Sequence, residues 1–384
     1  MKNSKKYTQL IDSGVKILNP ESVFIDPEVN VDRISGKNVI IYPGVRIFGE
    51  ETLICDGVEL GKEVPVTIEN CYIGPGTSLK GGYFQKACFL GKNQFGSGAH
   101  VREGTILEEE ASAAHCVGLK QTILFPFVTL GSLINFCDCF MAGGTDRKNH
   151  SEVGSSYIHF NYTPNQDKAT PSMMGNVHQG VLLNQNPIFL GGQGGLVGPC
   201  KIGFGCLTAA GSIIRKDELK PDRLLLGSSL KEASISRGAS VYRNIPQIYN
   251  NNIEYIAALI SLLNWYKEVR FLFVDGYFSK QLFVGMVITL EAAIDERIKR
   301  LHDFVGNLKK EKLENQENII DAFPEKLQFL TEQKTVNFSD SIPKIEVDNN
   351  NYIDFIKSLK PEIGLTLSKW LYNIECKIFE KSKI

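Results

Sequence analysis

Residues 73–79 of the chain read IGPGTSL, and this short stretch decides the fold. It sets an aliphatic residue at each end of a turn made of Gly and Pro, and related blocks recur at residues 41–47 (IYPGVRI) and 202–207 (IGFGCL). An aliphatic residue followed directly by Gly recurs along the chain, for example at residues 60, 73, 90, 117, 130, 153, 197, 202 and 226. Blocks of this kind are typical of a parallel β-helix, in which three of them form one coil of roughly 18 residues.

The blocks predict where side chains point in such a prism. We expect the aliphatic residue of each block to face inward, and Gly or another small residue to turn each corner. About ten coils fit between residues 20 and 235. We therefore assign residues 18–237 to a mainly β domain, a hexapeptide-repeat parallel β-helix. A β-sandwich of short strands is the alternative, but it would not explain the regular pairing of an aliphatic residue with Gly.

The C-terminal part of the chain has a different composition. Residues 1–237 contain 30 of the 35 Gly, whereas residues 238–384 contain only 5. Apolar residues recur at helical spacing over residues 253–273 and 282–314, and residues 333–352 have the composition of a linker. We assign residues 247–384 to an α-helical region that caps the open end of the prism or supports its oligomerisation.

Charge, hydropathy and cysteine content exclude several classes of protein. A net charge of −1 over 384 residues argues against a nucleic-acid-binding surface. The sequence shows no apolar run as long as a membrane span, and no apolar stretch follows the basic N-terminus as it would in a secretory signal. The nine Cys form no CxxC pair, so we expect small buried thiols in a reducing cytoplasm rather than disulfides or a metal site.

Two basic residues are spaced by one full coil. Arg102 and Lys120 are separated by one repeat length, and the inward residues Val101 and Leu119 keep the same separation. The two cations are therefore expected to stack on neighbouring coils, roughly 4.8 Å apart, where a phosphate would relieve their repulsion. The alternative is a surface ladder in which Asp138, a further repeat length along the chain, neutralises Lys120.

Two stretches interrupt the repeat. Residues 143–173 are too polar and irregular to form one coil, and they contain a basic cluster followed by a polar group of candidate ligands. Residues 183–195 are rich in Gly but lack the Gly-Lys-Ser/Thr ending of a phosphate loop. Loops that leave a β-helix commonly carry its function. The first stretch contains Arg147, Lys148, His150, His159, Asn161, Tyr162 and Lys168.

Together these residues resemble a known family. Residues 18–235 are similar to the C-terminal acetyltransferase domain of the bifunctional UDP-N-acetylglucosamine pyrophosphorylase/glucosamine-1-phosphate N-acetyltransferases. The resemblance rests on AHVR at residues 99–102, Lys120, Asn161-Tyr162, KAT at residues 168–170 and GCLTAAG at residues 205–211. It implies a left-handed β-helix, a homotrimer and acetyl-CoA or another acyl-CoA as co-substrate. The glycine-rich nucleotide loop of the pyrophosphorylase domain has no counterpart here, so we do not expect nucleotidyl transfer.

The resemblance also implies roles for individual residues. Arg102 and Lys120 would hold a sugar 1-phosphate, and a loop with Asn161, Tyr162 and Lys168 would bind sugar and acetyl-CoA. Ala209 and Ala210 would line the acetyl-CoA groove. The family uses a His as general base to deprotonate the sugar amine.

At the family's general-base position this chain has Ser132. The family Tyr three residues on falls on Asn135, and a family Asn falls near Glu152. A serine hydroxyl cannot act as a base near neutral pH. His178, which follows the first interruption, is the best substitute, while His150 and His159 lie inside that interruption.

The sequence thus predicts CoA-dependent N-acyl transfer to an amino-sugar 1-phosphate or nucleotide sugar. Two alternatives stay open. A non-catalytic binding or scaffold protein would retain the fold and the phosphate clamp, which Ser132 favours and Asn161-Tyr162 opposes. A partner-binding protein would have its function in the helical region.

Overall fold

The chain folds as a prism of parallel β-strands followed by helices. The computed structural model describes residues 2–163, 165–227, 244–311, 317–336 and 351–384, with single residues 234, 242, 338, 342, 345 and 347 between them. Strands run from Lys16 to Leu225, and the eleven strands of one sheet mark eleven coils. The predicted parallel β-helix with a helical C-terminal region is confirmed. Its predicted end at residue 237 lies outside the described residues.

Most coils contribute strands to three faces, and the strands of neighbouring coils pair in parallel. Face A contains Lys16–Ile17, Ile40–Ile41, Glu59–Leu60, Ser78–Leu79, Gln94–Phe95, Ser112–Ala113, Thr129–Leu130, Glu152–Val153, Phe189–Leu190, Leu207–Thr208 and Leu224–Leu225. Face B contains Phe24–Ile25, Arg46–Phe48, Val66–Glu69, Gly82–Gln85, Ala99–Val101, Ile158–Phe160, Gly195–Val197 and Ile213–Ile214. Face C contains Leu53–Ile54, Tyr72–Ile73, Ala87–Phe89, Thr105–Leu107, Ser172–Met174 and Lys201–Ile202. Two longer strands, Gly118–Leu124 and Asn135–Met141, pass from face B to face C and join them into one sheet.

The core of the prism is filled by one side chain from each face. Phe84 of face B, Phe89 of face C and Phe95 of face A meet edge to face, with ring centroids 5.7 to 5.8 Å apart. All three are fully buried. Edge-to-face packing of this kind stabilises a core beyond simple burial, and here it shows that the three faces close around one axis.

The corner between faces A and B, which we call edge AB, comprises residues 96–98, 114–116, 131–133, 154–156, 191–193 and 209–211. Its turns need a left-handed backbone, and Gly98 and Gly211 supply it in two coils. In other coils Cys116 (φ 58°) and Leu133 (φ 60°) adopt it instead. The expectation that a small residue turns each corner therefore fails at Leu133, and Gly118 lies inside a strand rather than at a corner.

The polar stretch 143–173 does form part of a coil, contrary to expectation. Glu152–Val153 pairs in face A and Ile158–Phe160 pairs in face B. The irregular residues are two separate insertions, at residues 142–151 and 161–171. The second insertion leaves the corner between faces B and C, so it stands next to the strands that carry Arg102 and Lys120.

The helices are mostly C-terminal. Helix α1 (Lys2–Ser13) precedes the prism, and the short α2 (Val177–Gly180) lies in an insertion. The C-terminal helices are α3 (Ile245–Glu268), α4 (Gly276–Glu311), α5 (Glu317–Gln333), α6 (Tyr352–Ser358) and α7 (Pro361–Ser382). Short 3-10 helices occupy Pro20–Ser22, Val31–Arg33 and Arg270–Phe273.

The C-terminal helices pack along face C rather than over an open end. Ion pairs join Arg270 to Glu109 (2.7 Å) in the middle coils and Lys201 to Glu254 (2.5 Å) near the last ones. The described helices therefore lie against a side of the prism, and the predicted role as an end cap or an oligomerisation region stays a prediction. The physical reason for this placement is that the outward side chains of face C are apolar and need a cover: Tyr72, Cys88, Ile106, Ile123, Phe140 and Met173 are all buried.

Among the described helices, Gly276–Lys310 has the length and apolar composition of a membrane span. The sequence pattern did not predict this. One third of its most apolar window is buried inside the protein, and core helices of soluble proteins share the same length and hydropathy. Length and composition are therefore weak grounds for a span.

Candidate functional site

A cleft of about 440 Å³ opens on face B. Strand pairing places His100, Gly118, Asn135 and Ile158 in one outward column across four coils. Gly118 lacks a side chain between larger neighbours, and a Cβ added there would meet no atom closer than 3.8 Å. The missing side chain makes the hollow. The lining residues are Gly98, His100, Arg102, Cys116, Val117, Gly118, Leu119, Leu133, Ile134, Asn135 and Ile158.

Arg102 and Lys120 lie on adjacent coils, as their spacing predicts. Val101 pairs with Leu119, and the Arg102 N–H donates to the Leu119 carbonyl at 2.9 Å. The two cations differ in their partners, because Lys120 Nζ lies 2.7 Å from Glu103 Oε1. Within the described part of the chain, no carboxylate forms an ion pair with Arg102. Arg102 is therefore the cation that the cleft offers to an anion.

The electrostatic environment of Glu103 agrees with its pairing to Lys120 rather than to Arg102. Burial alone would raise the pKa of Glu103, but its hydrogen bond to Lys120 and the charges of Lys120 and Arg102 outweigh burial and lower that pKa. Glu103 is thus held as a carboxylate between two cations. It offsets one positive charge of the pair and leaves a net positive charge at this end of face B.

Asp138 does not neutralise Lys120, so this alternative is wrong. The residue that pairs with Lys120 in the next coil is Cys137, because this coil is one residue shorter. Asp138 turns the corner with φ 62° and is buried, and its Oδ1 lies 2.8 Å from Nη2 of Arg297 in α4. The carboxylate predicted to face the surface is instead paired with the helical region.

The candidate ligands Asn161, Tyr162 and Lys168 follow the face B strand that ends at Phe160. Nδ2 of Asn161 donates to Asp138 at 3.4 Å, while the side chains of Tyr162 and Lys168 are exposed. This loop therefore begins beside the cations of face B and presents an aromatic ring and an amine to solvent.

The three predicted cations, Arg102, Lys120 and Lys168, all act on the thiol of Cys137. Burial is the main influence on the Cys137 thiol and raises its pKa, and the nearby Asp138 adds to this effect. The charges of Arg102, Lys120 and Lys168 all act in the opposite direction. The structure thus brings all three cations within electrostatic range of the same thiol, at the side of face B next to the loop.

The helical region anchors this loop. The hydroxyl of Tyr242 donates to the buried carboxylate of Asp167, one residue before Lys168. Nδ2 of Asn307 in α4 donates to the Asn165 carbonyl at 3.3 Å, and Nδ2 of Asn252 in α3 donates to the Ala169 carbonyl at 3.0 Å. The position of the loop therefore depends on the helices packed behind it.

Ala209 and Ala210 lie on edge AB, as does Ser132. Backbone hydrogen bonds climb this edge from coil to coil, from Ser156 to Ser132, from Gln193 to Ser155 and from Gly211 to Gly192. Ala210 therefore occupies the same corner position as Ser132, three coils further on. The structure brings these predicted residues onto one edge that borders face B.

Ser132 is not alone on this edge. Its Oγ lies 2.9 Å from Nδ1 of His115 in the preceding coil, and both side chains reach solvent. Cys116 and Leu133, the next residues of the chain, line the cleft. Sequence reasoning missed His115. The only available signal was its separation from Ser132 by the length of one coil.

The predicted histidines lie elsewhere. His178 lies in α2, within the insertion between faces C and A and on a different edge from Ser132, and its Nδ1 lies 2.7 Å from Oε2 of Glu375 in α7. His150 lies in the other insertion on that side, with Nδ1 2.9 Å from the Arg147 carbonyl. The structure does not bring either ring to the Arg102 cleft.

His159 is a structural residue of the core. Its Nδ1 lies 2.6 Å from the Cys137 carbonyl and its Nε2 lies 2.8 Å from Oγ of Ser172, so both ring nitrogens are occupied. Burial lowers its pKa to about 4, which keeps the ring neutral. A ring with both nitrogens bonded inside the prism cannot reach a substrate amine.

Comparison with known proteins gives a consistent picture. The chain is 27% identical over 224 residues to "Bifunctional protein GlmU" of Thermotoga maritima, which covers 58% of this chain and 44% of that protein. It is 30% identical over 219 residues to the same-named protein of Fervidobacterium nodosum (57% and 43%), and 27% identical over 224 residues to that of Corynebacterium glutamicum (58% and 40%). No family model matches the chain.

The chain therefore spans less than half the length of the curated relatives it matches. The matched length, about 58% of the chain, is close to the length of the eleven-coil prism. The fold is consistent with the hexapeptide-repeat acetyltransferase domain that the sequence resembles. The chain is accordingly a distant relative of the GlmU proteins.

Proposed function

We propose that the chain is an N-acyltransferase that uses acetyl-CoA or another acyl-CoA to acylate an amino-sugar 1-phosphate or a nucleotide sugar. The observation that carries the proposal is the Arg102 cleft on face B. An arginine without a carboxylate partner among the described residues lines a hollow next to two further cations, and this arrangement suits a phosphate. The distant GlmU relatives support acyl-CoA as the co-substrate.

Each predicted residue then has a task. Arg102 forks onto the phosphate, and Lys120 adds a point charge that it shares with Glu103. Asn161, Tyr162 and Lys168 contact the sugar and the acyl-CoA from the anchored loop. Lys168 offers an exposed cation to the CoA phosphates. The sugar amine attacks the thioester carbonyl carbon, the C–S bond breaks, and CoA leaves as a thiol.

The CoA chain runs along edge AB in this proposal. Ala209 and Ala210 lie on that edge above Ser132, and small side chains leave room for the pantetheine arm. Ser132 and the cleft mark the place of reaction, because the thioester at the end of the arm must meet the amine of a sugar held by Arg102.

The active form is a cytoplasmic homotrimer in this proposal. Phe189, Leu207 and Leu224 project from face A in the last three coils, in register with one another, and all three are exposed. A ladder of large apolar side chains is poorly suited to water and well suited to contact with a second prism.

Thiol release tests the proposal directly. The protein is incubated with acetyl-CoA and glucosamine 1-phosphate, and the free thiol is followed for the wild type, Arg102→Ala and Arg46→Ala. Arg46 is the control, since it is an outward arginine of face B in an early coil, although it is exposed and Arg102 is half-buried. We expect release by the wild type and by Arg46→Ala, and at least a tenfold loss in Arg102→Ala.

The same variants separate the non-catalytic alternative, which the serine at position 132 favours. In that case no thiol is released, but glucosamine 1-phosphate raises the melting temperature of the wild type and not that of Arg102→Ala. An absence of both effects would contradict the transferase and the binding protein alike.

A further inference from the structure

The cleft on face B has a hydroxyl and an imidazole on its rim. Ser132 Oγ and His115 Nδ1 lie 2.9 Å apart on edge AB, which is a hydrogen-bonding distance. The residues that follow them, Leu133 and Cys116, line the cleft that Arg102 also lines. Both side chains reach solvent, so the pair is accessible from the same side as the cleft.

Acyl transfer to an amine needs a group that takes up a proton. The nitrogen of a neutral sugar amine must lose one proton as it bonds to the carbonyl carbon, and a serine hydroxyl alone cannot hold that proton near neutral pH. An imidazole can. A hydroxyl that donates to an imidazole nitrogen can accept a proton from a third group while it passes its own to the ring.

We propose that Ser132 and His115 form a proton relay for the acyl transfer, an inference that rests on the proposed function. Ser132 Oγ accepts a proton from the attacking sugar nitrogen as its own O–H proton moves to Nδ1 of neutral His115. Because Nδ1 accepts, the ring carries its proton on Nε2 before the reaction. His115 acts through Ser132 and does not touch the substrate.

The proton and the electron pairs balance in this step. The nitrogen lone pair forms the bond to the carbonyl carbon, the C–S bond breaks, and its electrons leave on sulfur. The proton taken from nitrogen is then stored on the imidazole. It returns through Ser132 to the CoA thiolate, so the pair ends the cycle in its starting protonation state and needs no co-reactant.

Other histidines are less suited to this task. Within the described residues, His159 has both ring nitrogens bonded in the core, and His178 is bonded to Glu375 on another edge. His100 lines the cleft one coil before His115, and its ring lies tilted against that of Tyr83, with the ring centroids 5.4 Å apart. His100 is the rival that the experiment must separate from His115.

The test is the pH dependence of kcat at saturating acetyl-CoA and glucosamine 1-phosphate, which reports groups in the bound complex. We compare the wild type with His115→Gln, Ser132→Ala and His100→Gln. In the wild type we expect kcat to fall toward acid pH, because an imidazole that already carries a second proton cannot accept one from Ser132. We expect His115→Gln and Ser132→Ala each to lower kcat by about 10²-fold or more and to remove this acid limb, with KM for the sugar phosphate changed less than threefold. His100→Gln keeps the limb.

A rescue variant separates chemistry from structure. We expect the Ser132→His/His115→Gln double variant to have a kcat at least tenfold higher than that of His115→Gln, because an imidazole then occupies the position of the hydroxyl. Melting temperatures of all variants are measured alongside, and they should stay within about 2 °C because both side chains lie at the surface.

The failures of the two proposals are distinguishable. If the wild type releases thiol and His115→Gln keeps both its kcat and its acid limb, the relay is wrong and the proposed function stands. Loss of the limb in His100→Gln instead of His115→Gln likewise overturns the relay. If the wild type releases no thiol, the proposed function fails, and the relay fails with it.

Discussion

The ion pair between Asp138 and Arg297 connects the candidate site to the helical region, and its removal gives a sharp prediction. Nη2 of Arg297 lies 2.8 Å from Oδ1 of Asp138, and the two side chains are only 2% and 6% exposed. Asp138 also accepts from Asn161, the first residue of the insertion at residues 161–171. The perturbation is Arg297→Met, which keeps the length of the side chain and removes its charge.

The magnitude follows from burial. Arg297→Met leaves an unpaired carboxylate in the interior, and breaking a buried pair in this way costs about 3–5 kcal/mol of unfolding free energy. Replacing both members is much less costly, because no charge is left buried. Two nitrogens of Arg297, Nε and Nη1, have no hydrogen-bond partner among the described residues, which adds to the cost of keeping the arginine. We therefore expect the Asp138→Asn/Arg297→Met double variant to lie within about 1.5 kcal/mol of the wild type.

Asn is the matched replacement for Asp138, because position 138 has φ 62° and Asn tolerates the left-handed region better than most residues. The assay is urea unfolding followed by tryptophan fluorescence. Both tryptophans, Trp265 and Trp370, are buried in the helical region, so the signal reports the part of the molecule that the pair attaches. A loss below about 1 kcal/mol in Arg297→Met, or a double variant as unstable as the sum of the single ones, would refute the reasoning.

Two further predictions concern pH and assembly. Burial lowers the pKa of His159 to about 4, so between the ordinary value of about 6.5 and pH 4 the unfolded chain binds a proton that the folded one does not. The unfolding free energy should therefore fall by up to about 3 kcal/mol as the pH drops through this window, and the fall should be shallower in His159→Gln. Plots of unfolding free energy against pH that run parallel for the two proteins would contradict His159 as the cause. We expect Leu207→Glu, which places a charge in the exposed ladder of face A, to convert the proposed trimer into monomers in analytical ultracentrifugation, whereas Gln94→Glu on a middle coil of the same face should not. A trimer that survives in Leu207→Glu would show that the ladder is not the interface.

The coil repeat and the Arg102–Lys120 register were both predictable from the sequence. The inward positions alternate strictly with the outward ones, so the phase of Val101 and Leu119 determines the phase of the residues beside them. The same counting failed at Asp138, because the coil that leads to it is one residue shorter and the chain turns the corner at position 138 in the left-handed region. Coil length varies at corners, and periodicity carries no information about it.

The place of the helical region was not predicted, although the sequence contained a signal. Face C strands such as Ala87–Phe89, Thr105–Leu107 and Ser172–Met174 are buried at every position, whereas a strand with one face in water alternates. Runs without a polar outward residue predict a cover on that face. The contacts themselves, such as Arg297 with Asp138, join residues that are far apart in the chain, and no local pattern predicts them.

The histidine at the cleft was missed for a related reason. His115 and Ser132 are not neighbours in the sequence, and the direction of a corner side chain depends on the positive φ of the residue that follows it. The contact can be recognised only when the AB corners of two consecutive coils are aligned residue by residue. The sequence therefore favours His178, which follows the first interruption of the repeat but lies on another edge in the structure.

We propose that the hollow above Gly118 holds the sugar phosphate, and calorimetric titration with glucosamine 1-phosphate measures this binding. Gly118 has an ordinary backbone conformation and open space over its Cα, so Gly118→Leu fills the cleft without straining the strand. We expect saturable binding by the wild type, and for Gly118→Leu a Kd at least tenfold higher with an unchanged melting temperature. Equal affinity in the wild type and in Gly118→Leu would contradict it.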